Sequence, residues 1–213
     1  MWLYATGQYA KHHIRLFEYQ PSSASKFLEG FNGYLHTDAY AGYSQLDDVI
    51  HCCCMVHARR KFAEALPKNI KHPEETIPGR VIKEMGCLFK IEQDCQELSA
   101  DERQKQREEK SRPILLALFE YLEKEKGHVP QASKLSKAIN YCLSHRNELM
   151  NYLRDGNCSI SNNLAERSIH PFTIGRKNWI FSGSPAGAEA SAAAYSLIEI
   201  CIANKIDTKE YLE

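Results

Sequence analysis

The chain has no run of apolar residues long enough to cross a membrane, and its start lacks the basic opening and small-residue cleavage site of a secretory leader. Those absences make the cytoplasm the expected location and leave no membrane partner. Neither charge is in excess: 27 Lys and Arg stand against 27 Asp and Glu. A surface that is basic all over is therefore excluded, and any affinity for nucleic acid must come from local patches. No Gly-rich phosphate loop, nucleophile elbow or dinucleotide fingerprint occurs, and there is no internal repeat or extended low-complexity linker.

A disulfide framework is also missing. Of the eight cysteines, Cys52, Cys53 and Cys54 are consecutive, and Cys87, Cys95, Cys142, Cys158 and Cys201 are scattered. Adjacent strand residues point to opposite faces and cannot all join one bridge system, so reduced thiols in a cytosolic protein are expected. Cys54-x-x-His57 is half of a zinc pattern, but no second Cys/His pair follows at a suitable spacing. Buried strand thiols without zinc are the expectation.

What is present is enough for one good core and a satellite: 213 residues, 43% of them hydrophobic. Residues 2–6 and 13–19 alternate apolar and polar side chains and predict a β-hairpin. A short helix at 25–30, a strand at 34–38 and an apolar strand at 49–55 follow. From His57 the period becomes helical, with Ala58, Phe62, Ala65 and Leu66 on an apolar stripe and His57, Arg60, Lys61 and Glu64 on another face. Pro67 closes that helix. Beyond it come three helical stretches, the second opening with a charged run over 101–112 that reads as solvated. A helix around Glu166 is expected to end near Pro171, followed by a turn at Gly175, a short strand over 178–181 and an alanine-rich helix over 188–203.

Two carboxylates stand out. Asp38 follows an alternating strand and precedes a Gly-containing turn, a place from which it reaches either a metal ion or simply its own turn backbone. Glu166 lies in SNNLAERSIHPFTIGRKNW. With Asn163 as N-cap it is the N3 partner of a capping box, yet Arg167, Arg176 and Lys177 nearby suit DNA beside a metal site. His57, Arg59, Arg60 and Lys61 serve phosphates or form an ordinary solvated helix face with Glu64 as partner.

Three segments together resemble the transposases of the insertion sequence 66 family: His36-Thr37-Asp38-Ala39-Tyr40-Ala41-Gly42-Tyr43, C-x-x-H-A-R-R-K-F from Cys54 to Phe62, and NNLAER-x-I-x-P-F-x-I-G-R-K-N-W. The late Tyr195-Ser196-Leu197-Ile198-Glu199 extends the likeness, which is weakest over 67–131. The resemblance implies an α/β fold like ribonuclease H, in which two aspartates and a glutamate hold two Mg²⁺ (or Mn²⁺) ions. Asp38 and Glu166 would be metal ligands and catalytic residues. His57, Arg59, Arg60, Lys61, Arg167, Arg176 and Lys177 would contact DNA, the element's ends and its target, in a homo-oligomeric full-length enzyme.

The expected layout is a first part of that core at 1–66, a helical insertion at 67–155, a second part at 156–204 and a tail from 205. The family's first aspartate lies on a strand upstream of Trp2, where this chain has no residues. A transposase lacking that strand is the expected identity. An inactive DNA-binding remnant, or a non-enzymatic helical interaction protein, are the alternatives. Strand-transfer assays in Mg²⁺ or Mn²⁺ are expected to show no cleavage or joining by this chain alone. Robust activity would mean that another residue supplies the third ligand.

Overall fold

The computed structural model describes residues 1–20, 28, 30–37, 48–179 and 182–213, the side chains of 176–179 excepted. Asp38 and most of the expected helix at 25–30 lie outside the described residues. In chain order the strands are β1 (Trp2–Ala5), β2 (Arg15–Glu18), β3 (Gly33–Thr37) and β4 (Val49–Cys53). The helices are α1 (Met55–Ala65), α2 (Ile77–Asp94), α3 (Ala100–Gln106), α4 (Arg112–Lys126), α5 (Lys134–Ser144), α6 (Arg146–Met150), α7 (Asn163–Trp179), α8 (Pro185–Ala203) and α9 (Thr208–Leu212). The chain is mixed α/β and mostly helical, with two small sheets among the described residues. It divides into two compact units: Met1–Glu29 with Asn162–Glu213, and Gly30–Ser161.

In the first unit β1 and β2 pair antiparallel with Leu3 opposite Phe17, the hairpin that the alternation predicts. Phe17 packs with Phe172 of α7 and Tyr195 of α8, the last two rings meeting edge to face at 5.4 Å. Helix α8 begins cleanly: the Ser184 side chain accepts from Gly187 N–H, and Pro185 occupies the first turn. On its sheet-facing side the Ser196 hydroxyl accepts the Phe17 N–H at 2.8 Å and so satisfies a backbone donor of β2. By length and composition α8 would qualify as a membrane span, which the expectation of no such stretch did not anticipate. The same apolar character suits a helix lying on a sheet, and both Ser196 and Glu199 are buried.

Helix α7 departs from its predicted course. It does not stop near Pro171, turn at Gly175 and become a strand at 178; it stays helical to Trp179, with Pro171 inside it. Residues 180 and 181 lie outside the described residues. Proline deprives the helix of one N–H, but Ile169 and Phe172 bury themselves against Phe17 on the same face, and Thr173 donates to the His170 carbonyl at 2.9 Å. Packing thus outweighs the local signals, and Gly175 is a buried helical residue.

In the second unit β3 and β4 run parallel, Leu35 opposite His51. Cys52 and Cys53 of β4 and Met55, Ala58 and Phe62 of α1 share one core with Val81, Met85, Leu88, Leu115, Phe119, Leu122, Ile139 and Leu149 from the following helices. The charged run over 101–112 is not wholly solvated, as its composition suggests. Arg103, Arg107 and Ser111 are buried, and Arg107 is 0% exposed. A π-helical turn, Arg107–Ser111, lies between α3 and α4. There Arg107 makes a two-pronged pair with Glu92 of α2 (2.7 and 2.6 Å) and donates to the carbonyls of Tyr152 and Asp155. Arg103 likewise donates to the Cys95, Gln96, Leu98 and Gly156 carbonyls.

Because the Glu92 carboxylate is buried with Arg107, Arg107→Met leaves an uncompensated charge and is expected to cost about 3–5 kcal/mol in urea unfolding. Adding Glu92→Met should recover much of the loss. A double variant no more stable than the single would refute the account.

Candidate active site

Glu166 sits in the opening turns of α7, one position later than the capping-box register requires. Its N–H donates to the Asn162 carbonyl at 3.1 Å. Asn162 is therefore the cap residue, Asn163 the first helical residue and Glu166 the fourth. The Asn162 Oδ1 is buried without a hydrogen-bond partner. Glu166 is half-buried and Arg167 exposed.

What fixes α7 is not obvious from the sequence. Arg15 of β2 is 3% exposed; its Nε donates to Ser168 Oγ at 2.9 Å, and Ser168 in turn donates to the Leu164 carbonyl. Burial disfavours the Arg15 charge, and Glu199 of α8 offsets part of that cost. Glu199 has its pKa raised by burial, with Arg15 pulling the other way. Ser168 lies two residues beyond Glu166, so this buried arginine anchors the turn that carries the carboxylate. The only sequence signal for it is a charge amid the alternation of a strand.

In the second unit the end of β3 is tied to the start of α1. Thr37, the residue before Asp38, accepts from Cys54 N–H at 3.2 Å. The first turn of α1 therefore begins beside the strand end from which Asp38 continues. His36 is half-buried, and its Nε2 donates to the Ser159 carbonyl at 3.0 Å, which defines the neutral tautomer. Burial lowers the His36 pKa to about 4; the Ser159 contact opposes that shift and nearby His57 adds to it.

On α1, Arg59 and Arg60 are exposed, and His57 and Lys61 are half-buried. Arg59 Nε lies 3.4 Å from the Ile82 carbonyl. Lys61 stacks on the Tyr141 ring at 4.5 Å instead of pairing with Glu64. Arg176 and Lys177 lie on the last turns of α7, not on a turn after Gly175; their side chains are outside the described residues.

Among the described residues, no three His, Cys, Asp or Glu side chains converge into a metal-holding set. Glu166 offers the hard oxygen donor that Mg²⁺ or Mn²⁺ prefers, so the described share of the expected ligands fits such an ion. Asp38, the other expected ligand, lies outside the described residues.

The sequence pattern described as Transposase IS66 family matches residues 1–190. The chain belongs to this family. Three proteins of Sinorhizobium fredii (strain NBRC 101917 / NGR234), each described as uncharacterized, are similar to it. With y4hP it is 34% identical over 202 residues, covering 88% of this chain and 37% of the relative. With y4qI it is 34% identical over 198 residues (88% and 36%), and with y4jD 31% over 198 residues (89% and 38%). The chain thus spans well under half the length of the curated relatives it matches. No solved structure matches it.

The desolvated His36 ring makes stability pH-dependent. Between about pH 4 and its ordinary value of about 6.5, the unfolded chain binds a proton that the folded chain refuses. Stability is therefore full above that window and is lost as pH falls through it, by roughly 3 kcal/mol across the whole span. Urea midpoints at several pH values should show the loss, and His36→Gln should flatten it. An unchanged slope in the variant would disprove the assignment.

Proposed function

We propose that this chain is part of the catalytic region of a DNA transposase that cuts and joins DNA by metal-dependent phosphoryl transfer on a ribonuclease-H-like core. The observation that carries the reading is the family match over residues 1–190. Within it, Glu166 is half-buried in the opening turns of a helix that a buried arginine anchors.

In this reading Asp38 and Glu166 hold Mg²⁺ or Mn²⁺. A divalent ion held there would supply activation of the attacking water or 3′-hydroxyl and charge stabilisation for the leaving oxygen. The protein's own work is placement. Arg15, through Ser168, and the apolar contacts of Ile169 and Phe172 hold α7 so that the Glu166 carboxylate is presented in a fixed orientation. Exposed Arg59, Arg60 and Arg167, together with His57 and Lys61, supply cationic contacts to phosphates, and Arg176 and Lys177 add to them. The partners are the element's own ends and the target DNA. Bringing two ends to one target calls for more than one copy, so the full-length enzyme works as a homo-oligomer, and access to DNA places it in the cytoplasm.

Mn²⁺ binding, followed by electron paramagnetic resonance, tests the site without requiring activity. Asp38→Asn and Glu166→Gln should each weaken binding by roughly tenfold or more, since the loss of an outer-shell partner alone has effects of that order. Far-ultraviolet circular dichroism should be unchanged. Unaltered Mn²⁺ affinity in both variants would remove these residues from the site.

A further inference from the structure

One pair of nucleophilic side chains has no part in the proposed chemistry. Cys52 of β4 and Cys158, which follows α6 and the short 3-10 turn Asn151–Arg154, are separated by 106 positions in sequence, yet their sulfurs lie 3.6 Å apart. Both thiols are buried, Cys52 at 1% and Cys158 at 8% exposure. We propose that Cys52 and Cys158 are a modification site, a dithiol that a hydroperoxide converts into an intramolecular disulfide.

The backbone on each side is already held in place. Cys158 N–H donates to the Asp155 carbonyl, His36 reaches the Ser159 carbonyl, and Met55 N–H donates to the Ile160 carbonyl. Cys52 lies within the parallel ladder opposite His36. Closing the sulfurs from 3.6 Å to a bond of about 2 Å is therefore a side-chain movement on the order of 1.5 Å.

The other cysteines are worse placed. Cys53 follows Cys52 on the strand and points to the opposite face, and burial pushes the Cys142 thiol up to about 12. Cys87 is exposed and offers oxidants a competing target.

The two thiols are also unequal. Cys158 is held below its ordinary range, first by the hydrogen bond from Cys52 and then by the Arg107 charge, against desolvation. Cys52 is raised by that same hydrogen bond and by burial. Cys158 is also the more exposed of the two, so it is the sulfur that an oxidant meets first.

The chemistry balances in two steps. The Cys158 sulfur gives up its proton and attacks one peroxide oxygen; the S–O bond forms, the O–O bond breaks, and the departing hydroxide takes up that proton to become water. The Cys52 sulfur then attacks the sulfenic sulfur of Cys158. The S–S bond forms, the S–O bond breaks, and the Cys52 proton leaves with the second water. Sulfur is oxidised by two electrons and the peroxide is reduced by two. The product ties β4 to the stretch that runs into residue 161, and nothing in it depends on the metal or DNA reading.

The test uses the whole chain, reduced, freed of reductant and exposed to hydrogen peroxide in small excess. Alkylation under denaturing conditions, digestion and mass spectrometry then count free thiols and locate the links. The expected result is a linked Cys52/Cys158 peptide pair, with two fewer alkylated thiols than the eight cysteines of the reduced chain and full recovery in dithiothreitol. In Cys52→Ser, Cys158 should stop at the sulfenic acid and be trapped by dimedone. The proposal is overturned if the wild-type chain keeps both thiols alkylatable while Cys87 oxidises. It is equally overturned if Cys158 advances to the sulfinic acid with Cys52 free, or if the wild-type chain links Cys158 to a cysteine other than Cys52.

Discussion

A single buried guanidinium governs the order of the second unit. Arg107 has its N–H groups divided between the Glu92 carboxylate and the carbonyls of Tyr152 and Asp155. A guanidinium is planar and its donors are set in a fixed fork, so α2, the π-helical turn and the 3-10 turn Asn151–Arg154 hold only one mutual arrangement that satisfies it. Arg103 continues the same work toward the Gly156 carbonyl. Gly156 must be glycine because a Cβ there would meet the Ala100 carbonyl oxygen at 1.8 Å. Two arginines and one glycine therefore fix where the chain leaves the helical block.

From that exit the path is specified almost residue by residue. Asp155 holds Cys158, the Cys158 sulfur meets Cys52, Ser159 meets His36, and Ile160 meets Met55. The partners on the other side are the parallel strands β3 and β4 and the first residue of α1. The polar contacts that secure the helical block thus end at the strand pair from which Asp38 continues. Within the other unit, the Arg15 to Ser168 contact and the aromatic cluster around Phe17 perform the corresponding task for the helix that carries Glu166. In each unit the candidate carboxylate adjoins an element that buried polar groups pin to a sheet.

Much of this was legible in the sequence where local chemistry and packing agree. The hairpin alternation, the apolar β4 run, the His57 helix with its Ala58 and Phe62 stripe, and the alanine-rich helix all appear as their patterns predict, although the last begins at Pro185, three residues before its expected start. The charged run over 101–112 was illegible for a definite reason. Arg103 and Arg107 look like their solvated neighbours, and only the folded chain reveals the carbonyls that await them. The Cys52 and Cys158 contact carries no local pattern at all, because only the tertiary fold brings together positions so distant in sequence. Glu166 was readable as an early residue of a helix, but its register was off by one, since Asn162 and Asn163 are equally good caps on composition and the Glu166 N–H to Asn162 bond decides between them.

The continuation of α7 through Pro171 and Gly175 changes the proposed DNA interface more than any other difference between pattern and fold. On a turn, Arg176 and Lys177 would be free to close on whatever phosphate Glu166 addresses. On one helix, ten residues of rise set Arg176 about 15 Å along the axis from Glu166, equivalent to roughly four base-pair steps of duplex. The amino-terminal end of that helix, where Glu166 and Arg167 lie, also carries the positive end of the peptide dipoles, which favours anions. In the proposed reading, the acidic end of α7 addresses the reacting phosphate while the basic end holds a different stretch of the same DNA. In that reading, a chain with no net charge obtains its grip on DNA from the spacing of a few cations along one helix, without needing many of them.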